Sequence, residues 1–138
     1  QYSDFDDCSG YGEATGLFNR NLDCTGKNIV RSPKYTGTLS LSKTWEIPGG
    51  SLELTGEGYH NDGFFYEANN NPRTEQKSYQ VVGVRTSYLY ERWNLRTTLF
   101  VKNLFDEFYS QGALPNDFGD GINVAPPRTY GIRVNWEF

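Results

Sequence analysis

From residue 34 onward, apolar and polar positions alternate in five stretches separated by turn-forming residues. Such alternation marks a strand with one apolar and one polar face. In residues 34–47, Tyr35, Gly37, Leu39, Leu41, Trp45 and Ile47 share one parity, opposed by Thr36, Thr38, Ser40, Ser42, Thr44 and Glu46. Lys43 breaks the apolar parity near an end, where a long side chain reaches water. Pro48-Gly49-Gly50 predicts a tight turn. In residues 51–61, Leu52, Leu54, Gly56 and Gly58 oppose Glu53, Thr55 and Glu57. In residues 77–89, Val82, Val84 and Tyr88, with Tyr90 just beyond, oppose Tyr79, Val81, Gly83, Arg85 and Ser87. In residues 93–104, Leu95, Thr97, Leu99 and Val101 alternate with Asn94, Arg96, Thr98, Phe100 and Lys102. The last stretch, 128–138, sets Tyr130, Ile132, Val134, Trp136 and Phe138 against Gly131, Arg133, Asn135 and Glu137.

The connections alternate as well. Pro48-Gly49-Gly50 and Glu91-Arg92 are short, whereas residues 62–76 and 105–127 are long and polar. Short turns therefore fall on one side of the strands and long loops on the other, as in outer-membrane barrels. The stretches suit the roughly 9–11 residues that a tilted strand needs to cross a bilayer. The expected fold is all-β: an antiparallel meander of transmembrane strands forming part of a large outer-membrane β-barrel. Residues 34–138 are read as five C-terminal barrel strands with two long extracellular loops. Residues 1–33 are read as the end of a strand plus an extracellular loop. The polar parity carries Glu53, Glu57, Arg85, Arg96, Lys102, Arg133 and Glu137. In a large barrel these line the lumen; in a β-sandwich, the rival architecture, they are a solvated face.

Composition narrows the choice. Aromatics reach 16%, Gly numbers 15 and Met is absent, a strand-forming composition. A net charge of -4 without a basic block argues against nucleic-acid binding. Mean hydropathy is -0.68 and no apolar run has the length of a transmembrane helix. That excludes a helical membrane protein only, because alternating strands hide their apolar face in such averages. Cys8 and Cys24 lie in one Gly-, Asn- and Asp-rich stretch outside any metal or redox motif. An even count there predicts a disulfide and an oxidising compartment, with two free thiols as the alternative. The chain opens on Gln1 in a strand-like segment, which reads as a piece of a longer protein or a processed product.

Two segments, Val101-Lys-Asn-Leu-Phe-Asp-Glu-Phe-Tyr109 and Pro126-Pro-Arg-Thr-Tyr-Gly-Ile-Arg-Val-Asn-Trp-Glu-Phe138, resemble the C-terminal end of a TonB-dependent outer-membrane receptor. In that family the penultimate strand ends in an Asn-Leu-x-Asp-x-x-Tyr run. The last strand opens on Pro-Arg-x-Tyr-Gly and closes on an aromatic. Arg31-Ser-Pro-Lys-Tyr35 is similar to the family's Ala-Pro-Lys run ahead of a strand. The resemblance implies a barrel of about twenty-two strands around a plug domain. It implies as partners the remaining strands and plug of a parent receptor, outer-membrane lipid, TonB and the barrel-assembly machinery. The intact protein is then expected in the outer membrane of a Gram-negative bacterium, importing a scarce nutrient such as a ferric siderophore or a glycan. Tyr130, Ile132, Val134, Trp136 and Phe138 become the strand read during barrel assembly. A segment of a passive porin-like barrel and a soluble β-sandwich binding module are the alternatives.

Site chemistry is sparse. The single histidine, His60, ends a strand and no nucleophile motif accompanies it, so no catalytic residues and no cofactor are expected. Asp4, Asp6, Asp7 and the oxygen-rich run from Asn116 to Asn123 lack the order of a calcium loop and read as turn chemistry. The candidates for ligand contact are loop aromatics: Phe64, Phe65, Tyr66 and Phe118, placed where a barrel mouth would be. Packing within the loops and a membrane aromatic belt compete with that role, the belt above all for Phe105, Phe108 and Tyr109.

Overall fold

A computed structural model describes residues 1–13 and 15–137. The strands are, in order, β1 (Cys8–Tyr11), β2 (Phe18–Leu22), β3 (Thr36–Ile47), β4 (Gly50–Asn61), β5 (Phe64–Phe65), β6 (Glu75–Gln76), β7 (Tyr79–Tyr90), β8 (Leu95–Lys102), β9 (Ser110–Asn116), β10 (Gly119–Val124) and β11 (Thr129–Trp136). Single 3-10 turns, Pro72–Thr74 and Glu91–Trp93, are the helical elements among the described residues. The chain divides into two compact units: a loop unit (Gln1–Thr36, Asn61–Tyr79, Phe108–Ala125) and a sheet unit (Gly37–His60, Gln80–Glu107, Pro126–Phe138).

The sheet unit is a meander in the order β11-β8-β7-β4-β3. Its register preserves the sequence parity. Ile132 pairs with Leu99 and Val134 with Thr97, while Arg133 pairs with Thr98 and Asn135 with Arg96. On the other side of β8, Thr86 pairs with Leu99 and Ser87 with Thr98. One face is thus apolar and open: Leu41 is 67% exposed and Ile132 64%. The other face pairs its polar groups laterally. Ser42 and Thr55 share a hydrogen bond at 2.9 Å, as do Ser87 and Thr98, and Arg85 donates to Glu57 at 2.9 Å. The short turns also interlock, with the Glu91 amide donating to the Gly49 carbonyl. Phe138, assigned to the closing strand, lies outside the described residues; β11 ends at Trp136.

The Asn-Leu-Phe-Asp run after β8 acquires a physical explanation. Asn103 adopts a left-handed conformation, φ 51°, that asparagine tolerates better than most residues. Its side chain accepts from the Glu107 amide at 2.8 Å and donates to the Glu107 carbonyl at 2.9 Å. Asp106, also left-handed, accepts from the Arg128 amide at 2.7 Å. The motif is a clamp that fixes the end of β8 to the start of β11.

The loop unit holds the structure that sequence pattern missed. Residues 1–7, read as a strand end, form no regular strand; they are tied instead by Tyr2 and Phe5 to Lys27, Gly26 and Cys24. The 105–127 loop contains the β9–β10 hairpin. Its alternation is weak because Gly112, Pro115, Gly119 and Gly121 interrupt it. The buried apolar residues of the described chain are Cys8, Cys24 and Ala125, all in this unit.

Candidate functional site

The loop unit is stapled by the Cys8–Cys24 disulfide, whose Cα atoms are 6.1 Å apart. Around that staple the chain is held by side chains that satisfy distant backbone groups. Asn69 and Asn71 both donate to the Tyr11 carbonyl at 2.9 Å. Glu67 accepts from the Tyr11 amide at 3.0 Å and from the Thr74 hydroxyl at 2.9 Å. Asn28 and Asn70 exchange two hydrogen bonds, at 2.6 and 2.9 Å. Arg73 grips Asp120 with two parallel bonds of 3.0 Å, a geometry that guanidinium supplies and ammonium does not. Asp117 accepts from the Phe18 amide at 3.1 Å. Three loops far apart in sequence are therefore one body, fixed by bonds that need both partners folded.

An open crevice of about 270 Å³ lies in this unit. Phe64 and Phe65 form its apolar wall; Asn28, Ser32, Lys34, Asp62 and Glu75 supply the polar groups. Its shape depends on Gly63, whose φ is 92° and where a Cβ would lie 2.6 Å from the Gln76 carbonyl oxygen. Asn61 fixes the bend by accepting from the Gly63 amide at 2.8 Å. The Arg31 amide donates to the Phe65 carbonyl at 2.9 Å and ties the first loop to that wall. The Asp62 carboxylate beside Tyr35 repels a phenolate and accepts from the phenol, which holds the Tyr35 pKa above its ordinary value. Two carboxylates, one ammonium, an amide and a hydroxyl next to two rings can bind a polar molecule that also presents an apolar face.

The four candidate aromatics separate. Phe64 and Phe65 reach the crevice. Tyr66 is committed to packing: its hydroxyl donates to the Ser110 carbonyl at 3.0 Å, its ring meets Phe64 edge-on at 5.0 Å, and Arg31 sits 5.6 Å above it. Phe118 projects from the β9–β10 tip, fully exposed. Tyr109 stacks on Tyr79 at 4.4 Å, while Phe105 and Phe108 are exposed. His60 is half-buried near the end of β4. No group of three or more His, Cys, Asp and Glu side chains able to hold a metal occurs among the described residues. The oxygen-rich run has structural work, with Asn116 accepting from Phe118, Asp117 from Phe18 and Asp120 from Arg73. The crevice's polar residues escaped sequence reasoning because they are scattered over residues 28–75 without a shared motif.

No family model matches this sequence, and no curated protein matches it. Among solved structures, the ferric yersiniabactin uptake receptor FyuA from Yersinia pestis superposes with a TM-score of 0.74 at 19% identity. The match covers 86% of this chain and 18% of that one. The chain has the fold of a segment of a large antiparallel β-barrel. The open apolar face of the sheet is thus barrel exterior and the paired polar face barrel interior, an assignment that a β-sandwich would reverse. No described helix is long and apolar enough to cross a membrane, which is silent about strands.

Proposed function

We propose that this chain supplies barrel wall and extracellular loops to a TonB-dependent outer-membrane transporter that imports a scarce nutrient, a ferric siderophore, glycan or similar molecule. The observation that carries this reading is the fold match to an uptake receptor over most of the chain, joined to a sheet with exposed apolar side chains on β3, β4, β8 and β11. The chain spans 18% of the length of that receptor, so transport belongs to a larger parent with further strands and a plug, coupled through TonB. Phe64 and Phe65 with Asp62, Glu75 and Lys34 are the ligand contacts offered by these loops. Tyr130, Ile132, Val134 and Trp136, followed by Phe138, form the strand offered to the assembly machinery.

The test begins with the parent protein in the outer membrane of its cell. It should have a mass several times 15.7 kDa and migrate faster on a gel when unheated. Uptake of its nutrient should stop when TonB is deleted. A parent that admits solutes at the same rate without TonB would be a passive porin and would defeat the proposal.

A further inference from the structure

Two Asp-Gly pairs occur in the chain, Asp62-Gly63 and Asp120-Gly121. In such a pair the amide nitrogen meets the preceding carboxyl carbon unhindered by a Cβ, and can attack it to close a five-membered ring. The fold treats the two pairs in opposite ways. Asp120 stands inside β10, where the ladder holds its backbone extended, and Arg73 grips its carboxylate with two bonds of 3.0 Å. A guanidinium so placed stabilises the ionised carboxylate, which is the unreactive form. Asp62 lies in the bend between β4 and β5. Its carboxylate accepts from the Tyr35 phenol and holds that phenol's pKa above its ordinary value, so the proton stays in place at neutral pH. The Gly63 amide donates to Asn61 Oδ1 at 2.8 Å. An N–H bond lies in the peptide plane, so this contact leaves both faces of the nitrogen open to carbon. Each of these contacts is made within the chain and needs no further strand or plug to complete it.

We propose that Asp62-Gly63 is a self-modifying backbone site, at which the Gly63 nitrogen attacks the Asp62 carboxyl carbon while the Tyr35 phenol protonates the departing oxygen. The N–Cγ bond forms and one Cγ–O bond breaks. The oxygen leaves as water, carrying the amide proton and the phenolic proton, and the phenolate recovers its proton from solvent. The product is a succinimide. Water then opens it at either carbonyl, which restores aspartate or leaves isoaspartate with the backbone running through Cγ. Isoaspartate adds one atom to the chain at a bend with no spare room: a Cβ on Gly63 would already lie 2.6 Å from the Gln76 carbonyl oxygen. The Phe64–Gln76 and Phe65–Glu75 pairs must then shift, and they place both rings in the crevice. The modification therefore ages the crevice from within. Its chemistry rests on loop contacts alone; only its consequence for ligand uptake rests on the transport reading.

The test follows the intact parent, purified in detergent and aged at neutral pH. Peptide mapping with electron-transfer fragmentation separates isoaspartate from aspartate, and a succinimide peptide is lighter by one water. Asp120-Gly121 is the internal standard. In the folded protein isoaspartate should accumulate about tenfold faster at Asp62 than at Asp120, because one carboxylate has a positioned acid and the other a guanidinium. In urea with the disulfide reduced, the two pairs should age at similar rates, since only their sequence is left. Tyr35→Phe should slow the folded reaction at Asp62 about tenfold, less than a positioned acid gives in an enzyme because water also supplies protons. Tyr35 is 59% exposed, so the variant keeps its packing. A misfolded variant would age faster at Asp120 as well, which the standard detects. Protease sensitivity within residues 62–76 should rise in step with the isoaspartate fraction. Equal ageing of the two pairs in the folded protein, an excess at Asp62 that persists in urea, or an unchanged rate in Tyr35→Phe would each overturn the proposal. A loop that stays protease-resistant as isoaspartate builds up would overturn its effect on the crevice. A parent that transports without TonB would defeat the transport reading and leave these rates untouched.

Discussion

The two units of this chain solve the problem of folding without an apolar core in opposite ways. The sheet unit relies on a periodic backbone ladder, with its apolar side chains turned outward and its polar ones paired sideways. The loop unit has only two-stranded ladders, β1–β2, β5–β6 and β9–β10. It uses a disulfide, an ion pair and amide side chains reaching backbone groups 42 to 60 residues away. A periodic ladder tolerates change at most polar positions, because each row repeats its neighbour. An aperiodic network does not, because each donor serves one acceptor.

That contrast is broken most strongly on the exposed apolar face of the sheet. Ile132→Arg should cost about 2–4 kcal/mol near mid-strand and leave little assembled parent in outer-membrane fractions, whereas Asn135→Gln on the polar face should leave the amount unchanged. Equal tolerance would contradict the assignment of faces. Next comes the staple. Cys8→Ala/Cys24→Ala should cost the loop unit about 3 kcal/mol. Limited proteolysis should then cut within residues 1–36 while heat-modifiable migration of the barrel persists. Loss of both together would show that the units are not independent.

The ion pair is a smaller probe. Asp120→Asn should cost about 1–2 kcal/mol, because Arg73 loses a charged partner in a partly buried setting. Protease sensitivity should rise at the β9–β10 hairpin before it rises elsewhere. The mildest test is electrostatic. The Tyr35 phenol is held above its ordinary pKa, so its contact with Asp62 contributes fully below the unfolded value near 10 and is lost as pH rises through the folded value. Asp62→Asn should bring the Tyr35 titration, followed by NMR of ring-labelled tyrosine, back down toward the ordinary range. A curve that stays put would remove Asp62 as the cause.

Much of the fold was legible because strand periodicity is local. Tyr130, Ile132, Val134 and Trp136 announced their shared face without knowledge of any neighbour. The Asn103–Asp106 run was legible only as a resemblance; its reason, two left-handed residues whose side chains clamp Glu107 and Arg128, required coordinates. The β9–β10 hairpin was hidden by its glycines and proline. Of the candidate site, Phe64 and Phe65 were named from sequence, but Lys34, Asp62 and Glu75 were not, since nothing in their spacing marks them as neighbours.

The sequence by itself determined the five strands of the sheet unit, the faces they present and the sorting of short turns from long loops. Each of these follows from side-chain parity and turn chemistry within a dozen residues. Only the tertiary structure decided which loop residues meet, and that Tyr66 is spent on packing while Phe65 is free to line a crevice. Those outcomes depend on register between strands and on bonds between distant loops, which no local pattern encodes.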